Sequence, residues 1–270
     1  MSADPALGGP VASPLRQRMP LILPATVGVA LVVIPLAALL LRADWAALPQ
    51  ALASPTVWPA VRLSLPTTST TVVIAIHVGT PLAWLLARSS GRLTTWRRAV
   101  LVVPLVLPPV VGGVALLLAY GRNGVVGAPL GELFGIRIPF TPVAVVLAEV
   151  FVAMPFYVVA VEGAMRQVDR RYDALAATLG ATPWHTFTRV ALPLAAPGIA
   201  AGAALAWARA LGEFGATITF AGNFVGTTQT APLAIYTALE QDPDAAIALS
   251  VVMLVVCVGV LGALRGRWLR

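Results

Sequence analysis

No lysine occurs anywhere in the 270 residues; all 18 basic side chains are arginine. A Walker-type phosphate loop needs a lysine to reach the nucleotide phosphates, so this chain holds no ATP site of that kind. Schiff-base chemistry through a lysine amine is excluded for the same reason. Cysteine is reduced to Cys257, which rules out an internal disulfide and a cysteine metal site. The two histidines, His77 and His185, lie far apart in unlike settings and do not suggest a zinc pair. Neither HExxH nor GxSxG is present, so no intramembrane enzyme is visible. Charge itself is scarce, at 11% of residues against 59% hydrophobic, with a mean hydropathy of +0.88. A soluble domain carries about 25% charged residues. The chain reads as a polytopic membrane protein whose solvent is the lipid bilayer.

A formal charge of +7 invites a nucleic-acid reading, which the placement of the arginines rejects. They sit in short clusters between apolar runs, the pattern that sets orientation in a membrane. A hydrocarbon core of about 30 Å needs roughly 20 helical residues. Six runs qualify, at 21–41, 63–87, 99–120, 140–162, 195–220 and 245–264. Thirteen arginines fall on the side of the two termini and four on the other, with Arg209 left inside a span. These features predict an all-α membrane protein of six transmembrane helices with both termini cytoplasmic. Residues 1–20 are expected to be a disordered cytoplasmic tail, 21–264 the transmembrane domain, and 265–270 a basic cytoplasmic terminus. A kink is expected near Pro81. The cluster of Pro104, Pro108, Pro109, Gly112 and Gly113 reads either as a gate or as a simple bend.

The stretch 173–193, inside a cytoplasmic loop at 163–194, is not membrane-like and has its own helical pattern. Leu175 and Leu179 share a face at i,i+4. Gly180 reads as a helix stop, Thr182 as an N-cap and Pro183 as the first position of a second short helix. That helix carries Trp184, Phe187 and Val190, and Pro193 marks its expected end. Two amphipathic helices joined at a glycine make a knob for another protein to grip.

In the fifth span, Gly198, Gly202, Ala206 and Ala210 form a small-residue ladder, suited to packing within the subunit or to a subunit interface. Arg209 and Glu213 stand at i,i+4 and form either a self-neutralising structural pair or, with Thr217, a face bordering a translocation path. Glu149 in the fourth span is either a coupling carboxylate or a group bonded to a facing helix. His77 is either a proton relay or a packed side chain, and His185 a surface residue.

The loop resembles that of ABC-importer permeases, whose signature is Glu-Ala-Ala, three residues, Gly, nine residues, Ile, one residue, Leu-Pro. Counted from Gly180, Ala176 takes the second alanine, Val190 the isoleucine, and Leu192 and Pro193 the final pair. The family glutamate falls on Ala174, with Asp173 one place earlier, and the first alanine on Leu175. The run at 208–223 is similar to the fifth helix of oxyanion-importer permeases for sulfate and molybdate. The segments 228–236 and 121–124 are more like the molybdate branch. The resemblance implies a type I permease fold in a bacterial inner membrane and transport of an oxyanion, most like molybdate, with sulfate, thiosulfate or tungstate as alternatives. It implies a homodimer, a cytoplasmic ATPase pair gripping Asp173, Ala176, Gly180, Thr182, Trp184, Val190, Leu192 and Pro193, and an external oxyanion-binding protein. The chain itself then needs no cofactor, since ATP is bound by the partner. The rival from another class is a proton-coupled transporter using Glu149, His77 or the Arg209–Glu213 pair.

Overall fold

The computed structural model describes residues 14–55 and 57–268. Most of the tail expected at 1–20 lies outside the described residues, as does Arg270. Within them every regular element is helical. Helix α1 (Pro14–Arg42) starts inside the expected tail, because the good helix formers before residue 21 let the apolar helix propagate outward. It packs mainly on the last helix and leaves its apolar flank uncovered. A short α2 (Leu48–Leu52) interrupts the loop that follows.

The second span is a continuous run of 32 residues, Val57–Arg88. It comprises α3 (Val57–Ile74), a π turn (Ala75–Gly79) and α4 (Thr80–Arg88). The kink expected at Pro81 is absorbed by this wider turn, which tolerates the missing N–H and the ring. Gly79 lies so close to Tyr157 that a Cβ would stand 2.7 Å from its ring, and the Tyr157 hydroxyl bonds Thr80 at 2.6 Å.

The third span is not a straight helix. Its two parts, α5 (Arg92–Val106) and α6 (Pro109–Tyr120), meet at 115°. Leu107 and Pro108 each precede a proline, which forces the preceding residue out of the helical region, and both are extended with ψ of 135° and 134°. Gly112 meets the ring of Phe151 and Gly113 lies against Ala216 and Thr219, so the glycines of this cluster let α6 pack closely. The loop beyond contains α7 (Gly127–Phe134). The fourth span, α8 (Pro142–Gln167), is capped by Thr141, whose hydroxyl accepts from Ala144 N–H at 3.3 Å. Five helices are long and apolar enough to cross a membrane, six with the bent α5–α6 pair counted as one.

Two short helices, α9 (Arg171–Thr178) and α10 (Pro183–Thr186), lead through a second π turn (Phe187–Ala191) into α11 (Leu192–Leu211). The span expected at 195–220 breaks after Leu211, and α12 (Gly215–Phe220) follows as a separate short helix. Helix α13 (Ala231–Gln241) occupies part of the loop expected at 221–244, and α14 (Pro243–Trp268) closes the described chain.

Helix α8 is the hub, packed against α3, α4, α5, α11 and α12. Its tightest seam is with α11, where the small-residue ladder lies. Ala206 and Ala210 are buried, and a Cβ on Gly202 would stand 2.9 Å from Val161 Cγ2. A Cβ on Gly198 would run into that of Ala164. Among the described contacts the ladder serves packing within the subunit. Gly202→Val should therefore overpack this seam and cost about 1–3 kcal/mol. Its thermal unfolding midpoint in detergent should fall, and an unchanged midpoint would refute the close approach.

Candidate coupling loop and intramembrane polar pairs

The loop between α8 and α11 is built by local hydrogen bonding. Asp169 Oδ1 accepts from Arg171 N–H at 2.9 Å and so starts α9. At its end, Gly180 N–H donates to Ala177 O at 3.0 Å and Ala181 N–H to Ala176 O at 2.9 Å. Gly180 has φ +79°, the left-handed conformation this double closure demands. Thr182 Oγ1 then accepts from His185 N–H at 3.2 Å, and Pro183 opens α10.

Here the chain departs from expectation. Pro193 does not end the second helix but sits in the first turn of α11, in one continuous run, Pro183–Leu211. The π turn before it gives the proline ring room, and Leu192 N–H reaches five residues back to Phe187 O. The apolar stripe also divides. Phe187 is buried between Trp84 and Trp184, with ring centroids at 5.3 and 5.6 Å, while Val190 and Leu192 are half-buried. Leu175, Leu179 and Trp184 are exposed at 59%, 87% and 69%, an apolar surface that nothing among the described residues covers.

Arginines brace this knob. Arg88 Nε lies 2.6 Å from Asp173 Oδ2, and its Nη1 donates to the carbonyls of Met165 and Val168 at the end of α8. Arg170 Nη2 donates to Ala87 O at 3.1 Å, and Arg98 Nη2 to Leu86 O at 2.6 Å. Arg98 and Arg166 share Glu162 Oε1, at 2.7 and 2.8 Å. Helix C-termini present free carbonyls and partial negative charge, which cations stabilise. Sequence reasoning took these arginines only as topology markers. Asp173 is thus committed within the chain, and Ala174 beside it is exposed. His185 is exposed as expected.

Within the bundle, Arg209 Nη2 lies 2.7 Å from Glu213 Oε2, with side chains 25% and 1% exposed. The pair spans the break between α11 and α12. Glu213 Oε1 accepts from Ala216 N–H at 2.8 Å, so the carboxylate also caps α12. Arg209 stacks over Phe156 at 5.9 Å. Thr217 is fully buried on α12, and its hydroxyl has no partner among the described residues. Arg209, Glu213 and Thr217 therefore do not form one stripe on a single helix.

In a second polar cluster Glu149 takes the alternative of bonding to a facing helix, while its threonine partners escaped the reading by spans. Glu149 of α8 is buried and accepts from Thr71 Oγ1 at 2.9 Å and Thr67 Oγ1 at 3.0 Å, with Thr68 Oγ1 at 3.5 Å. The signal was the hydroxyl-rich run at 67–71 in an otherwise apolar span, with Thr67 and Thr71 at i,i+4 on the face turned to α8. His77 is exposed, with Nδ1 2.8 Å from Val73 O one turn earlier in the same span.

A bundle of bent helices with an amphipathic helix pair at one end defines a class, and the model of the family described as "Binding-protein-dependent transport system inner membrane component" matches residues 79–270. The chain belongs to this family and is a multi-pass inner-membrane protein. It is 48% identical over 234 residues to the "Molybdenum transport system permease protein ModB" of Mycobacterium tuberculosis, covering 87% of this chain and 88% of the relative. It is 40% identical over 212 residues to the protein of the same description from Escherichia coli K12, covering 78% and 93%. A chain of a bacterial ABC transporter involved in the import of the acidic polysaccharide alginate shares the fold, with TM-score 0.70 at 15% identity over 94% of this chain and 96% of the other.

The buried pair makes a direct prediction. Arg209→Ala strands the Glu213 carboxylate and should cost about 3 kcal/mol, the low end for a broken buried pair because the arginine is partly exposed. Arg209→Met with Glu213→Gln should cost less, since glutamine still accepts from Ala216 N–H. Thermal unfolding of both variants in detergent decides, and equal losses would argue against the pair.

Proposed function

We propose that this chain is the permease subunit of an ATP-driven importer that carries molybdate, or a closely similar oxyanion such as tungstate or sulfate, across the inner membrane by alternating access. The reading has six spans and both termini in the cytoplasm. One copy pairs with a second to enclose the path, and an extracytoplasmic binding protein delivers the anion. A cytoplasmic ATPase pair grips 173–193. The observation that carries it is the exposed Leu175, Leu179 and Trp184 surface, held rigid by Gly180 and the Arg88–Asp173 pair. Lysine-free, the chain has no Walker loop, so energy has to arrive through such a surface. The molybdenum transport permeases that it matches at 40–48% identity support the substrate.

The chain itself performs no catalysis and holds no cofactor in this reading; ATP is bound and hydrolysed by the partner. The glutamate position of the family signature is filled here by Ala174, so the grip is apolar and shape-based, and Asp173 acts by fixing the loop to α4. Nucleotide-driven closure of the ATPases draws two such knobs together and shifts the bundles between inward-open and outward-open states. Inside the bundle Arg209 is committed to Glu213 and Glu149 to its threonines. A dianion meets no uncommitted charge there, which suits passage and leaves selectivity to the binding protein.

Gly180→Val tests the grip. A Cβ at this position meets no atom within 4 Å, yet a side chain is strained at φ +79°, so the variant should insert and fold normally while the knob is reshaped. It should lose the co-purifying ATPase, and molybdenum accumulation in complemented cells should drop at least tenfold. Normal ATPase recovery would refute the assigned grip. Molybdate uptake into liposomes by the chain alone, driven by a proton gradient, would overturn the importer reading.

A further inference from the structure

On the face that carries the loop, the α4–α5 turn and the end of α8 enclose a cavity of about 350 Å³ that the coupling surface does not use. Arg98, Arg166 and Arg170, from α5, α8 and the start of α9, line it. Between them stand the turn residues Ser89 and Ser90 and, one helical turn further, Thr95. Glu162 pairs with Arg98 and Arg166 but not with Arg170, so three guanidiniums against one carboxylate leave two positive charges around the cavity. Each arginine is already oriented: Arg98 and Arg170 by backbone carbonyls of α4, Arg166 by Glu162. A guanidinium has five N–H donors, so each retains donors beyond those bonds. Gly91, which opens α5 without any side-chain cap, lines the same space.

We propose that this cavity binds a tetrahedral oxyanion. Fixed guanidiniums with hydroxyls between them are the chemistry that recognises such a group, since paired N–H donors fit two of its oxygens at once. The volume admits the anion together with several waters, each of which takes about 30 Å³ in the liquid. The surplus of two charges matches a dianion, or a phosphate monoanion with partial screening. Two sources supply this chemistry: a free inorganic oxyanion, or the phosphate of an anionic lipid. Exposed Leu93, Trp96 and Val100 on the outer side of α5 set the cavity at the depth of lipid headgroups. From either source, the occupant bridges the α4–α5 turn to Arg170, the residue at the start of α9, and so stiffens the base of the loop.

The test uses the full chain purified in an uncharged detergent. Equilibrium dialysis against labelled inorganic phosphate and against molybdate reads the free-anion source. Native mass spectrometry after extraction from phosphatidylglycerol–phosphatidylcholine vesicles reads the lipid source. The variants are Arg170→Gln and Ser90→Glu, both at exposed positions that hold no buried carboxylate, with Arg189→Gln outside the cavity as a charge control. Elution of each variant as the parent species in gel filtration establishes that it folds. The expected result is one saturable anion per chain, or one retained phosphatidylglycerol per chain, weakened at least tenfold by both cavity variants and unchanged by the control. Binding that survives the cavity variants, binding lost equally in the control, or no saturable anion and no retained lipid would each overturn the proposal.

Discussion

A bilayer core offers a backbone no hydrogen-bond partner, so every break in a spanning helix has to be repaired from within the chain. That constraint shapes this bundle more than any single contact. Where α11 ends at Leu211, the side chain of Glu213 accepts the Ala216 N–H that a helical carbonyl would otherwise have taken. Where Pro81 and Pro193 enter continuous helices, the preceding turn widens to a π geometry. At the double proline after α5 no such repair is available, and the helix turns through 115°. Each irregularity follows from a named side chain or from its missing N–H.

The same logic governs the loop end. The carbonyls that close α4 and α8 are taken by Arg88, Arg98 and Arg170, so basic side chains stiffen this end of the bundle. This leaves an uneven division of exposure. Phe187 is buried between two tryptophans, while Leu175, Leu179 and Trp184 stand clear. A knob anchored by one aromatic ring and one ion pair can transmit a push without deforming. Under the proposed function, the work of a partner reaches α8 and α11 through those anchors.

The ionisable groups Arg209, Glu213 and Glu149 each have a partner within the bundle. Arg209 meets Glu213, and Glu149 meets the hydroxyls of α3. The second arrangement ties the central helix to the second span through side-chain hydrogen bonds in addition to packing. Close helix approach supplies the rest, through glycines at 79, 198 and 202 that admit Tyr157, Ala164 and Val161. The proposed oxyanion cavity stands apart from this economy of paired groups. There positive charge exceeds what the neighbouring carboxylate neutralises.

The linear order of residues already determined the class: an apolar composition, six runs of spanning length and a one-sided distribution of arginine are all local sums. Helix stops and caps were equally legible, because Gly180, Thr182 and Pro183 act on neighbours within four residues. The Arg209–Glu213 pair was readable at i,i+4, but the break that it spans was not, since the straight helix and the broken one place those two residues equally close. What tertiary structure alone decided were the partners across sequence: Glu149 with Thr67 and Thr71, Arg88 with Asp173, and the glycines of the small-residue ladder with α8. Those partners lie up to 85 positions apart, and no periodicity reports a contact of that range. They are set by which faces of α3, α4 and α11 the central helix covers.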